Sequence, residues 1–197
     1  MELESRFTAP RTDCPHPERW HSPDPDSTEY EVSMLVGAFV RALRPDLAVE
    51  TGTAFGQTAR MMGEALAEHG GSLLTYEVDD VRVAASRNLC HGLPVEVVMG
   101  DSRTGLDLLR GQIEAGARPR VGFAWLDSLF ELRVLELAAV APLLTKGAIV
   151  GIHDCGEPGA TKYSGFATEV ATAAKRLGFA RISLPTPRGV TFLQWKG

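Results

Sequence analysis

Five short apolar runs, each carrying an acidic residue at or just past its carboxyl end, constrain this chain more than any other feature. They are LAVET (47–51), SLLTYE (72–77), VEVVMG (95–100), VGFAWLD (121–127) and AIVGIHD (148–154). A strand with one wet face alternates apolar and polar residues. Runs this continuous instead read as strands buried on both faces. Helical patterns over 57–68, 79–90, 103–114 and 130–143 separate them, and strand–helix–strand repeated at this spacing predicts right-handed crossovers. The expectation is an α/β chain with a doubly wound, mostly parallel sheet and helices on both faces.

The two ends differ from the middle. Pro10, Pro15, Pro17, Pro23 and Pro25 stand among polar residues near the start, which excludes a long helix or a central strand there. Residues 1–28 are expected to form an arm or lid, and 29–197 a single domain. Ser27 or Thr28 can cap a following helix with Leu35, Phe39, Ala42 and Leu43 on one face, stopped by Pro45. Near the other end a helix over 165–177, with Phe166, Val170, Ala174 and Leu177 on one face, precedes ARISLP, the turn-like TPRG and VTFLQW. So short a link predicts an antiparallel hairpin at one edge of the sheet.

Composition narrows the partners. At 197 residues, 44% hydrophobic and 23% charged, the chain has the make-up of one soluble domain. A net charge of −5 and the absence of a Lys/Arg stripe argue against nucleic acid. The opening MELESRFTAP lacks the apolar core of a signal peptide, and no stretch approaches the ~20 apolar residues of a membrane span. The expectation is a cytoplasmic protein with no membrane partner. Cys14, Cys90 and Cys155 are too few and too widely spaced for a disulfide framework or a thiolate zinc site.

In open parallel sheets, ligands bind beyond the carboxyl ends of the strands, where strand order reverses. The candidate residues are therefore Glu50 and Gly52, Glu77, Asp101, Asp127, and His153 with Asp154. Acids gathered at neighbouring strand ends cost desolvation and repulsion, which favours a functional reason for them. The stretch AVETGTAFGQTAR (48–60) has glycines only at 52 and 56, so it is neither GxGxxG nor a phosphate loop. An acid ahead of the glycines suits a ligand with an ammonium or hydroxyl groups better than a pyrophosphate. Glu77 sits where a carboxylate can accept from ribose hydroxyls, while Asp79 and Asp80 can simply start the next helix. The ligand predicted has a ribose and no pyrophosphate.

With VETGTAFG, LLTYEVD, VMGDS, AWLDS and AIVGIHD in place, residues 29–197 resemble the class I S-adenosylmethionine-dependent methyltransferases. Within that class the chain is most similar to the small metal-dependent O-methyltransferases of the catechol and caffeoyl-coenzyme A type and to related natural-product methyltransferases. The resemblance implies a Rossmann-like seven-stranded sheet whose last strand is reversed. It implies that Glu50, Gly52, Thr53 and Gly56 border the methionine end of S-adenosyl-L-methionine, Glu77 the ribose, and Asp101 with Ser102 the adenine. Asp127 would lie nearest the sulfonium and the acceptor, as a metal ligand in many relatives, with Asp154 as a second ligand. The implied acceptor is a small-molecule hydroxyl, and a divalent ion such as Mg²⁺ or Mn²⁺ can assist.

Two departures stand out. Cys155 replaces the Asn that follows the second acid, and Phe130 stands where the family has Lys or His, three residues after the first acid. His153 then has three readings: a ligand beside Asp127 and Asp154, which favours Mn²⁺, Fe²⁺ or Zn²⁺ over Mg²⁺; a general base; or a structural residue. Trp20, His21 and Tyr30 can line an acceptor pocket or staple the arm to the core. Lys162 and Tyr163 lie on the acceptor side, and Trp125 belongs to the core. VTFLQW as an edge strand and the apolar helix at 130–143 would allow a homodimer. The rivals to methyl transfer are another metal- or nucleoside-dependent enzyme on this scaffold and a non-catalytic cofactor-binding subunit.

Overall fold

A computed structural model describes residues 20–22, 27–155, 164–186 and 188–197. Lys162, Tyr163 and most of the proposed arm lie outside them. The elements in chain order are α1 (Tyr30–Leu43), β1 (Leu47–Thr51), α2 (Gln57–Ala67), β2 (Ser72–Glu77), α3 (Asp80–Leu89), β3 (Val95–Met99), α4 (Ser102–Glu114), β4 (Val121–Leu126), α5 (Phe130–Val140), β5 (Leu144–His153), α6 (Ser164–Leu177), β6 (Ala180–Leu184) and β7 (Val190–Gln194). The sheet runs β3-β2-β1-β4-β5-β7-β6, and β7 alone runs against its neighbours. This is the seven-stranded α/β sheet expected from the sequence, hairpin included. Strand order reverses between β1 and β4, so Gly52 and Asp127 emerge side by side at the switch point, one residue past the paired Thr51 and Leu126.

Alternation along β1 distributes the two cores. Leu47 and Val49 join the cluster under α4, α5 and α6, and Ala48 joins the one under α1 and α2. The same alternation sends Thr51 toward α5 and Glu50 toward the other face. Trp125 and Phe123 are fully buried, as expected of core residues.

Several local expectations are corrected. Glu29, not Ser27 or Thr28, is the N-cap residue of α1, and it makes no side-chain cap bond. The face α1 buries is Val32, Ser33, Val36, Gly37 and Val40, while Leu43 is 40% exposed. The helix is apolar on adjacent faces, so periodicity alone could not choose between them; Phe39 still packs against Phe192, the rings tilted by 35° with centroids 4.3 Å apart. β3 is an edge strand and not buried on both faces, since Glu96 is exposed and pairs with Arg118 at 2.6 Å. β7 is not an edge at all, being paired to β5 and β6, which removes it as a dimerisation strand. α5 ends at Val140, and a 3-10 turn over Ala141–Leu143 carries Pro142.

Candidate active site

A cavity of about 500 Å³ opens beyond the carboxyl ends of the parallel strands. That volume lies within the ~300–1,000 Å³ typical of small-molecule and cofactor sites. Gly52, Glu77, Asp101, Ser102, Asp127 and Asp154 line it, together with the apolar Leu129, Phe130 and Leu132. A much smaller recess beside it is walled by Thr28, Gly52, Thr53, Gln57 and Asp127.

Close approach at the switch point demands a glycine. Gly52 has φ +78°, and a Cβ there would sit 2.4 Å from the Asp127 carbonyl oxygen. Gly56, at φ +88°, precedes α2, and a Cβ would meet that of Ser86 on α3 at 2.8 Å. Gly56 therefore serves helix packing and stands off the cavity wall. Glu50 is also behind the wall. It is fully enclosed and accepts from Thr75 Oγ1 at 2.6 Å, which in turn is 2.6 Å from Thr53 Oγ1. Burial pushes the Glu50 carboxyl well above the usual carboxylate range, against the Thr75 bond and with help from nearby Asp127 and Glu77.

Glu77 is held open toward the cavity by backbone. Its Oε2 accepts from Ala54 N at 2.8 Å, and its Oε1 from Val78 N at 2.8 Å and Asp79 N at 3.1 Å. The cost of this cradle is visible at Ala54, a non-glycine residue at φ +48°. Asp79 caps α3 through Arg82 N, as expected of a helix start. Asp101 caps α4 by accepting from Thr104 N at 3.0 Å, which with its neighbours lowers its carboxyl pKa.

Two residues that sequence reasoning missed organise this end of the sheet, both on α5. Glu136 accepts from the hydroxyls of Thr51 (2.9 Å), Ser128 (2.8 Å) and Ser102, tying together the end of β1 and the segments that follow β4 and β3. Burial raises its carboxyl pKa, and the three hydroxyls and Arg133 oppose the rise. Arg133, one turn earlier, donates from Nε to Ser128 O (2.7 Å), from Nη1 to His153 O (2.5 Å) and from Nη2 to Asp127 Oδ1 (3.0 Å). Its guanidinium carbon lies 4.7 Å from the Phe130 ring centroid. The signal was present: Arg133 and Glu136 fall on the same face of this largely apolar helix as Leu137 and Val140.

Asp127, His153 and Asp154 do come together, with potential ligand atoms within 4.8 Å of one another. Their surroundings were not foreseen. His153 is fully buried; Nδ1 faces Asp127 Oδ1 at 3.1 Å and Nε2 faces Glu29 Oε2 at 2.7 Å. Burial alone would lower its pKa, but the carboxylates of Asp127, Asp154 and Glu29 override it and raise it to about 9. Asp127 and Glu29 move the other way: burial would raise both, and the charge of His153 prevails and lowers them. Asp154, itself at φ +54°, pairs with Arg188 from the turn before β7, Nη2 to Oδ2 at 2.5 Å. Asp127 Oδ2 accepts from Thr28 Oγ1 at 2.5 Å.

Cys155 is buried in the core, where its backbone carbonyl accepts from Thr191 Oγ1 at 2.8 Å. Phe130 packs edge-on against Phe166, centroids 5.6 Å apart. Trp20 packs on the core below α1, and His21 bonds Glu31 through both its backbone N and its ring Nδ1, so this segment is stapled to α1.

A protein-family model described as a methyltransferase domain matches residues 49–155, a little over half of the chain. The chain belongs to that family. No curated protein sequence matches this methyltransferase. Among solved structures it is similar to an O-methyltransferase from Bacillus cereus in complex with SAH, at 15% identity and a TM-score of 0.73 over 88% of this chain and 84% of that one. The O-methyltransferase TomG from Streptomyces achromogenes, involved in tomaymycin synthesis and in complex with SAM, gives 16% and 0.72 over 87% and 82%. The SAH-bound Podospora anserina methyltransferase PaMTH1 gives 16% and 0.71 over 87% and 81%. At these identities the likeness establishes the methyltransferase fold. No helix among the described residues is long and apolar enough to cross a membrane.

Proposed function

We propose that this methyltransferase moves the methyl group of S-adenosyl-L-methionine to a hydroxyl oxygen of a small molecule. The observation that carries the reading is the cavity itself: a backbone-cradled carboxylate, Glu77, at one wall, and Asp127 at the switch point already holding a hydroxyl, that of Thr28. Glu77 would accept from the ribose hydroxyls, with Asp101 and Ser102 at the adenine end and Gly52 and Thr53 at the methionine end. Leu129, Phe130 and Leu132 exclude water from the acceptor. The O-methyltransferases among the structural neighbours, crystallised with SAM or SAH, support the same reading.

In this reading the acceptor hydroxyl takes the place of the Thr28 hydroxyl on Asp127 Oδ2. Holding nucleophile and methyl carbon in line supplies most of the acceleration. The sulfur–methyl bond breaks with its electron pair on sulfur as the oxygen–methyl bond forms. The oxygen becomes strongly acidic as it gains the methyl group, so even the low-pKa Asp127 carboxylate can receive the proton.

Isothermal titration with S-adenosylhomocysteine, with NAD as control, tests the cofactor. Loss of charge-assisted bonds worth about 1.5–3 kcal/mol should weaken binding roughly 10- to 150-fold in Glu77→Ala. Binding of NAD alone, or unchanged affinity in the variant, would refute the assignment.

A further inference from the structure

The acid cluster at the switch point looks at first like a cation site, and the family resemblance allows a divalent ion such as Mg²⁺ or Mn²⁺ there. Each of its carboxylates already faces a cationic partner. Asp127 Oδ1 faces both His153 Nδ1 (3.1 Å) and Arg133 Nη2 (3.0 Å). Asp154 Oδ2 faces Arg188 Nη2 at 2.5 Å and both terminal nitrogens of Arg133 at 3.4 Å, and Asp154 Oδ1 pairs with Arg188 Nε. His153 has a carboxylate against each ring nitrogen, so both nitrogens act as donors and neither lone pair is left for a metal or a substrate proton.

The charges close as well. Asp127, Asp154 and Glu29 are three carboxylates; His153, Arg133 and Arg188 are three cations; and none has a side chain more than 10% exposed. A divalent ion among the acids would sit beside two guanidinium groups. It would have to displace at least one of them from its buried pairing with these acids. The orientation of Arg133 is fixed independently by Ser128 O, His153 O and the Phe130 ring, so it is built in and not a loose side chain.

We propose that this centre is metal-free, with the guanidinium groups of Arg133 and Arg188 standing where a divalent cation would otherwise balance Asp127 and Asp154. The inference deepens the methyl-transfer reading and rests on it for its consequence, that transfer needs no divalent ion. Asp127 Oδ2, contacted by the Thr28 hydroxyl, is the carboxylate atom that remains to meet the acceptor.

Mn²⁺ alone is the probe. Free Mn²⁺ followed by electron paramagnetic resonance in the presence of the whole chain should show no site tighter than the millimolar range, with or without S-adenosylhomocysteine. Arg133→Met and Arg188→Met each leave a carboxylate uncompensated and should gain a Mn²⁺ site at least tenfold tighter, with near-ultraviolet circular dichroism reporting that each is folded. A stoichiometric micromolar Mn²⁺ site in the wild type overturns the proposal. So does a folded pair of variants in which neither gains affinity. Titration with S-adenosylhomocysteine in the same samples separates the two readings: if the cofactor binds and Mn²⁺ also binds, only the metal-free centre fails. If neither binds, the centre stands and the methyl-transfer reading fails.

Discussion

Replacing Glu136 by alanine should loosen the whole carboxyl end of the sheet, and the size of the effect follows from its partners. Three hydroxyls, of Thr51, Ser102 and Ser128, donate to this one buried carboxyl. At about 1 kcal/mol per bond, with the Thr51 and Ser102 hydroxyls left buried and unpaired, the loss is about 3 kcal/mol after the relief of burying the acid is allowed for. For a domain near 200 residues that is a fall in Tm of roughly 6–12 °C. Glu136→Gln behaves differently for a geometric reason. An amide oxygen in the Oε2 position still accepts from Thr51 and Ser128, while the amide nitrogen in the Oε1 position donates to Ser102, whose hydroxyl rotates to accept. The expected cost is under about 1 kcal/mol. Urea denaturation of the two variants, with S-adenosylhomocysteine affinity measured alongside, checks both stability and the cavity wall that Ser102 and Ser128 form. If glutamine destabilised as much as alanine, the carboxylate charge and not the bond pattern would be essential. If alanine cost nothing, the hydroxyls would have other partners and the three-way tie would be of no consequence.

Two further perturbations test the site. Gly52→Ala forces a side chain into left-handed backbone and drives its Cβ against the Asp127 backbone, so a loss of about 2–4 kcal/mol with collapse of cofactor affinity is expected in thermal melts and calorimetry; a variant of wild-type Tm would disprove the clash. Stability should also fall on alkalinisation. His153, raised to about 9, contributes fully below its ordinary value of 6.5 and loses that contribution as the pH climbs through 9. Glu50 and Glu136, also raised, lose theirs in the same direction starting from the ordinary carboxylate value of 4.5, so the comparison with Glu29→Gln isolates the histidine. Removing that carboxylate should move the fall in urea midpoint between pH 6.5 and 9 to lower pH, and an unshifted profile would show that Glu29 does not hold the charge on His153.

The sheet was legible because its central strands are buried on both faces, and a short, continuous apolar run between helical patterns fits little else. Where burial was partial the reading slipped: β3 looked central although Glu96 marks it as an edge, and α1 offered two apolar faces of similar quality. The cavity was legible for a related reason. Acids at strand ends are set by topology, so Glu77, Asp101 and Asp127 could be placed near a common crevice from spacing alone. Their partners obey no such rule. Arg133 and Glu136 come from the interior of a helix, Glu29 from a helix start and Arg188 from a turn, at separations of up to 124 residues for the contact between Glu29 and His153. Charge balance is a three-dimensional property, and acids read without their counter-charges naturally suggest a metal.

Glu29 and Arg188 flank the segment that the family model recognises. Within that segment Asp127 and Asp154 are already balanced by Arg133 and His153, and the flanks add one charge of each sign. The two outlying residues are thus bound to each other's fate. Either one lost alone strands a buried charge, whereas both lost together leave the cluster neutral. A chimera that grafts a foreign leader or a foreign last hairpin onto this core should therefore be worse than one that grafts both, although the two grafts come from opposite ends of the chain.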